Sequence, residues 1–340
     1  METVEAISNQ LSGFRCPFIF RAGVWKPRTS PHTFQGAGGE ALAWLREVKA
    51  TYGLPVATEV ATPEHVQAAM EAGIDYLWIG ARTSANPIAV QEIVESIKVE
   101  SLKLTVDRSS KEESLKLKGL LIKNPVNADA GLWLGNIERL EQTGVPVIAV
   151  HRGCGHQPCW SMAHQVRTAR PDIPMLLDPS HMSGDAGQVA GLMDKIEELG
   201  FDGAMVEVHC RPEDALSDGK QQIRPSDLSE LIGAHRRLSE STGNHSNVSD
   251  SVREGIELNW LRAEIDELDD RLWDTIAARM DVSRRIGEWK KTHGVSPFQP
   301  ERYRQILTQC RQQAVQRGLE SHFIEQLWNT IHEESLRQQE

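Results

Sequence analysis

The chain has 340 residues, 39% of them hydrophobic and 25% charged, with a formal net charge of −11. That length exceeds one ordinary core, so two domains are expected, and the acidic balance argues against general nucleic-acid binding. No apolar stretch approaches the ~20 residues that cross a bilayer, and five cysteines without a C-x-x-C pair suggest free thiols in a reducing cytoplasm.

The first seventeen residues, METVEAISNQLSGFRCP, lack the basic and apolar regions of a signal peptide and read as a helix. Seven short apolar runs follow up to residue 238. They are FIFRAG (with Arg21), PVATEV (Glu59), YLWIGAR (Arg82), LLIKN (Lys123), PVIAVHR (Arg152), PMLLDPSH (Asp178, His181) and AMVEVH (Glu207, His209). Each is rich in Val, Ile, Leu, Phe or Met without strict alternation, as suits parallel strands covered on both faces. Helical patterns separate them, among others at 39–53, 62–73, 86–98 and 186–200. Thr62-Pro63 predicts an N-cap with proline at the first helical position, and Gly73 predicts a stop. This alternation predicts an α/β fold, a (β/α)8 TIM barrel over residues 1–238, with a doubly wound sheet as the runner-up. Only seven strands can be counted, so the barrel is expected to lack its first strand. Residues 99–118 are polar and poorly periodic, and read as a surface insertion or a short hairpin.

Residues 239–254, rich in Ser and Asn, read as a linker. Beyond them the period changes. Leu258, Leu261, Ile265, Leu268, Leu272 and Ile276 form a helical stripe on a helix running to about Lys291, long enough to need a partner along its length. Two more helices are expected near 300–317 and 320–339. Residues 255–340 therefore read as a small all-α domain, expected to form a homodimer.

Arg21, Arg82, Lys123 and Arg152 each stand at the C-terminal end of a different apolar run, where barrel enzymes gather their chemistry. Four converging cations suit phosphate and carboxylate groups. Lys26-Pro27-Arg28-Thr29-Ser30 follows the first run and could hold a second phosphate. His181, Glu207 and Asp218 offer one imidazole and two carboxylates, either a divalent-ion site or a structural hydrogen-bond network. In the helical part, Arg279 and Lys290 are 11 residues apart and share a face. Ser335 and Gln339 share a face of the last helix, and Arg262 stands on another face of the first, where it could serve a neighbouring chain. Cations with neutral donors and no acid–base pair suggest electrostatic catalysis on a dianion, the alternative being a solvated coiled-coil surface.

With these residues the chain resembles two known families. RAGVWKPRTSP, GARTSANP, IKNPVN, HRG, DPSH, MVEVHC and DALSDGKQQ resemble the short bacterial type of 3-deoxy-D-arabino-heptulosonate 7-phosphate (DAHP) synthase. LRAEIDELDDRL, AARMDVSRRIGEWK, PERY and HEESLRQQ resemble the all-helical chorismate mutases. The first resemblance implies condensation of phosphoenolpyruvate with erythrose 4-phosphate. Arg21, Arg82, Lys123 and Arg152 would bind phosphoenolpyruvate, with Lys123 among the catalytic residues. Lys26, Arg28 and Thr29 would bind the sugar phosphate, and Mn, Fe, Zn or Co would sit at His181, Glu207 and Asp218. The second implies rearrangement of chorismate to prephenate without a cofactor. Lys290 and Gln339 would act at the ether oxygen and Arg279 and Arg302 at carboxylates, with Ser335 placing the substrate and Arg262 coming from a partner chain. An alternative is a working mutase whose barrel serves as a scaffold or regulatory module. The chain departs from the families at three points. The family's fourth metal ligand, a Cys in a Gly-Pro-Cys-Ser turn on the first strand, has no counterpart, and Cys16 is a poor substitute. The loop between HRG and DPSH is short. Gln299 stands where the mutases commonly have an acid.

Overall fold

All seven apolar runs form strands in the computed structural model, which describes residues 2–14, 17–28, 30, 32–106, 116–242 and 250–339. The strands are β1 (Phe20–Arg21), β2 (Val56–Val60), β3 (Tyr76–Ile79), β4 (Gly119–Lys123), β5 (Val147–His151), β6 (Met175–Leu177) and β7 (Gly203–Ala204). Their order in the sheet follows the chain and every neighbouring pair is parallel. This is a (β/α) barrel architecture left open. Among the described residues β1 and β7 do not pair, so each is an edge. Helix α1 (Glu2–Leu11), which leads into β1, packs against α10 (Pro225–Thr242), which follows β7. That contact draws the two edges towards each other.

The strands divide their side chains between two cores. Ala57, Trp78, Leu121, Val150 and Met205 point to one side and fill the inside of the curled sheet. Their neighbours, among them Leu77, Ile79, Leu120, Ile122 and Ala149, pack against the outer helices. Those are α2 (Ala41–Tyr52), α3 (Pro63–Glu71), α4 (Ala81–Ser84), α5 (Pro87–Val106), α6 (Ala130–Glu141), α7 (Trp160–Ala169), α8 (Pro179–Ser183) and α9 (Ala186–Glu198). The start signals work as expected at α3, where the Thr62 side chain accepts from the His65 N–H and Pro63 opens the helix. Gly73 ends that segment with a φ of 70°.

Two expectations change. Residues 99–106 belong to α5 and are not an insertion, while 107–115 lie outside the described residues. The buried Glu100 carboxylate pairs with Lys103 at 2.7 Å one turn on, and follows the buried Ile93, Val94 and Ile97 of the same helix. The proposed linker is also largely helical at both ends. α10 runs to Thr242 and α11 (Asp250–His293) starts at Asp250, with 243–249 outside the described residues.

The chain divides into two compact units, Met1–Glu264 and Ile265–Glu340. The first turns of α11 thus belong with the barrel. Trp260 is buried there, stacked on His164 at 5.4 Å and packed against Trp160 and Phe201. Glu264 and Glu257 grip the two nitrogens of His164 at 2.6 and 3.2 Å. The second unit holds the rest of α11 with α12 (Pro300–Gln316) and α13 (Ser321–Arg337).

Candidate active sites

The strand ends of the barrel unit enclose a cavity of about 120 Å³ lined by Arg21, Lys26, Arg28, Glu59, Trp78, Arg82, Lys123, Arg152, His181, Glu207 and Asp218. The strands bring the four expected cations together because each stands at or just past the end of its strand. Arg21 lies over the Trp78 ring, 5.4 Å from its centre. Its Nη2 is 3.2 Å from Glu207 Oε1, but neither Nη2 nor Nε makes a hydrogen bond, although both are buried. Lys123 pairs with the fully buried Asp178 at 2.7 Å. Burial alone would raise Asp178, but His181, Lys123 and Arg21 overcome it and hold the carboxyl well below its usual range. Arg152 is lowered by burial and by the nearby Arg82, against the pull of Asp178. Its loop is fixed by Asn124, whose Oδ1 accepts from the Arg152 N–H at 2.7 Å and whose Nδ2 donates to the Gly153 carbonyl at 3.0 Å.

The loop after β1 reaches across to the segment after β7. Lys26 donates to Ser217 Oγ at 2.6 Å, and Arg28 grips Asp218 with two nitrogens at 3.0 and 2.6 Å. Burial opposes ionisation of Asp218, yet Arg28 and Lys26 lower it far below the ordinary value. Thr29 lies outside the described residues, as does Cys16. Gly36, at φ 98°, lets this loop fold back, since a Cβ there would stand 2.1 Å from the Val24 carbonyl oxygen.

His181, Glu207 and Asp218 line the same cavity but do not gather as a ligand set. Glu207 is held by Arg21 and Gln221, Asp218 by Arg28 and Lys26, and His181 Nδ1 by Asp178. Among the described residues no three His, Cys, Asp or Glu side chains are placed to hold a metal ion. These side chains as they stand do not fit a divalent ion.

Glu59 is the residue the sequence reading left without a role. It ends β2 inside the cavity, and burial raises its pKa despite Lys123, Trp78 and His181. Gly80 makes room for it, because a Cβ there would lie 2.1 Å from Glu59 Oε1. The only signal in the sequence was its place at the end of an apolar run, which it shares with the cations.

In the helical unit α11 and α13 face each other through a second set. Arg279 donates to the Ser335 hydroxyl and, at 3.4 Å, to the Ile331 carbonyl. Lys290 Nζ donates to Gln339 Oε1 at 2.8 Å and to the Pro297 carbonyl at 2.6 Å. Burial lowers both cations below their ordinary values. Gly287 permits the approach, since a Cβ there would meet Gln339 Cα at 2.6 Å. Gln299 precedes α12 as its N-cap without a side-chain bond, and Arg302 and Arg262 are exposed on their helices.

The DAHP synthetase I family model matches residues 1–242. The chain belongs to that family. A chorismate mutase type II model matches residues 261–340, so the synthase-family barrel is fused to a mutase-type helical segment. Phospho-2-dehydro-3-deoxyheptonate aldolase of Thermotoga maritima is 30% identical over 225 residues, which is 66% of this chain and 62% of that protein. A crystal structure of Thermotoga maritima DAHP synthase superposes with a TM-score of 0.57 at 27% identity, covering 71% of this chain and 64% of the other. For the C-terminal segment, 4-amino-4-deoxychorismate mutase of Streptomyces pristinaespiralis is 36% identical over 80 residues, or 24% of this chain and 62% of that protein. The fusion thus spans less than two thirds of the length of each of these relatives. No helix among the described residues of this DAHP synthetase I member is long and apolar enough to cross a membrane.

Proposed function

We propose that the barrel condenses phosphoenolpyruvate with erythrose 4-phosphate and that the helical unit rearranges chorismate to prephenate, in the cytoplasm. The observation that carries the first reading is the gathering of Arg21, Lys123, Arg82 and Arg152 on one cavity, with the buried Nε of Arg21 making no hydrogen bond and its Nη2 meeting Glu207 only as an ion pair. Buried donors without acceptors are costly unless a ligand supplies them, and an anion with several oxygens does so. Arg21, Arg82, Lys123 and Arg152 take the carboxylate and phosphate of phosphoenolpyruvate. Lys26 and Arg28, with Thr29 beside them in sequence, take the sugar phosphate. C3 of phosphoenolpyruvate attacks the aldehyde carbon, water adds at C2, and phosphate leaves. Glu59, with its raised pKa, is the group in the cavity suited to exchange a proton with that water.

Enzymes of this family generally use a divalent metal, which as a Lewis acid polarises the aldehyde. Of the proposed ligands here, Glu207 and Asp218 are paired with cations and His181 with the Asp178 carboxylate, and no step above passes through an ion. That pairing supports a second reading, in which the barrel holds phosphoenolpyruvate without turning it over and serves the helical unit as a ligand-binding module.

In the helical unit the substrate is a dianion whose ether bond breaks as charge builds on its oxygen. Lys290 and Gln339 stand together to meet that oxygen, and Arg279 with Ser335 holds a carboxylate. Arg302 completes the second carboxylate site, Gln299 reaches a hydroxyl, and Arg262 is supplied by a partner chain. The partner is a second copy, laid along the exposed apolar stripe of Leu258, Leu261, Ile265, Leu268 and Leu272 on α11.

Three assays on the full chain separate these readings. Chorismate loss should fall about a hundred- to a thousandfold in kcat with Lys290→Ala. Phosphoenolpyruvate binding by calorimetry should vanish with Arg21→Met. Consumption of phosphoenolpyruvate in the presence of erythrose 4-phosphate decides between synthase and module. A wild-type chain that binds no phosphoenolpyruvate overturns both barrel readings.

A further inference from the structure

His332 is used by neither reaction as described. It lies on α13 one turn before Ser335, about 60° around the helix from it, and Gln339 follows two residues after that helix ends. Arg279 and Lys290 of α11 are close enough to act on its charge. The ring stacks on Tyr303 with centroids 4.5 Å apart and an interplanar angle of 23°. Phe298 packs beside both rings, at 6.1 Å from Tyr303 and 6.4 Å from His332. Tyr303 is itself anchored, its hydroxyl donating to Asn329 Oδ1 at 2.6 Å. The imidazole is thus held on a fixed aromatic platform.

His332 Nε2 is buried and has no hydrogen-bond partner. Among the described residues of the helical unit it is the one buried side-chain nitrogen or oxygen in that state. Such atoms are rare because a buried polar group left unpaired has lost its water without gaining a partner. The other polar groups of the site are already suited to acceptors on the ligand. Arg279 and Lys290 only donate, and Gln339 Oε1 is occupied by Lys290. Chorismate has two carboxylates, an ether oxygen and one hydroxyl on its ring. That hydroxyl is the single donor of the dianion: its oxygen can accept from the Gln299 amide, but its proton needs an acceptor that the cations cannot provide.

We infer that His332, stacked on Tyr303, accepts a hydrogen bond from the ring hydroxyl of chorismate and so sets this site's preference for a hydroxyl over an amine at that carbon. The inference rests on the mutase reading above. Burial, with Arg279 and Lys290 close by, lowers the His332 pKa and keeps the imidazole neutral, as an acceptor must be. A protonated amine at the same carbon would meet a site already holding two cations. The discrimination this predicts is against 4-amino-4-deoxychorismate, the substrate that the name of the Streptomyces pristinaespiralis relative carries.

The test uses the full chain, with kcat/KM measured on chorismate, on 4-amino-4-deoxychorismate and on the chorismate analogue lacking the ring hydroxyl. His332→Leu should lower kcat/KM for chorismate about ten- to a hundredfold and leave the analogue without hydroxyl unchanged. His332→Gln, which keeps an acceptor oxygen, should restore much of the chorismate rate. An equal loss on chorismate and on the deoxy analogue would show a merely structural ring and overturn the inference. So would wild-type preference for the amine. A wild type that turns over none of the three overturns the mutase reading itself.

Discussion

Replacing Trp260 by alanine tests whether the first turns of α11 are part of the barrel unit. Trp260 is 1% exposed and packs against Trp160, His164 and Phe201, all from the barrel's own helices and loops. Truncating a buried Trp to Ala costs about 3–5 kcal/mol, of which each aromatic contact supplies about 0.5–1.5. One term works the other way. The Trp260 indole N–H is buried without a partner, so its removal returns roughly 1 kcal/mol. The expected loss is therefore near the lower limit, about 3 kcal/mol, or a fall of about 6–12 °C in Tm for a unit of this size. Urea unfolding followed by far-UV circular dichroism measures it, with hydrogen exchange of residues 254–264 as the local readout. Trp44→Ala, on an exposed position of α2 in the same unit, is the control and should stay within about 0.5 kcal/mol. A loss below about 1 kcal/mol, or one equal to the control, would show that α11 is not docked as described.

Three further perturbations follow from the buried carboxylates and the helix contact. Asp178→Asn leaves Lys123 buried without its counter-ion and should cost about 3–5 kcal/mol at neutral pH. Because the native pKa of Asp178 is depressed, its stabilisation is complete above the unfolded value near ~3.9 and is lost as pH falls through the native one, so denaturation curves of mutant and wild type should converge in acid. Glu59→Gln should do the reverse. Its native pKa is raised, so the ionised carboxylate costs stability as pH rises above ~4.3; the variant should melt higher than wild type at neutral pH, lose that advantage in acid, and lose synthase turnover. Gly287→Ala gains about 1 kcal/mol of helix propensity yet places a methyl 2.6 Å from Gln339 Cα, so chorismate turnover should fall while the isolated helical signal does not; unchanged kcat would show that α13 has room to shift.

What the sequence displayed and what it hid follow one division. The strands were legible because each carries an unbroken apolar run closed by a charge, and that signal is local. β7 shows the limit. Its run, AMVEVH, extends to His209, but the ladder covers only Gly203–Ala204, with one further bridge at Val208, and the Glu207 N–H turns to Ser180 Oγ instead of a strand. An edge strand takes its partners from tertiary structure. The same holds for the carboxylates. Lys123 and Asp178 are 55 residues apart, and Arg28 and Asp218 190 apart, so neither pairing has a sequence period. α11 carries two apolar stripes. The one formed by Leu258, Leu261, Ile265 and Leu268 was visible as a long heptad-like run. The second, Ile256, Trp260 and Ala263, lies on the opposite face and is only three residues long, too short to stand out, yet it is the one that anchors the helix to the barrel unit.

The two candidate sites answer the same electrostatic problem in different ways. In the barrel four of the six cations lining the cavity pair with a carboxylate: Arg21 has Glu207, Lys123 has Asp178, and Arg28 and Lys26 share Asp218. A chain with net charge −11 can keep such a cluster folded without ligand, but an incoming phosphate must compete with anions already in place. In the helical unit Arg279 and Lys290 lean on a hydroxyl, an amide and backbone carbonyls, none of them charged. Their full charge is available to the ligand, and burial has already lowered their pKa values. A rearrangement that needs only charge stabilisation is served by unneutralised cations. A condensation that must also move protons and release phosphate is served by cations interleaved with acids such as Glu59. On the proposed function, this difference in counter-ions separates a site suited to electrostatic stabilisation from one suited to multistep chemistry.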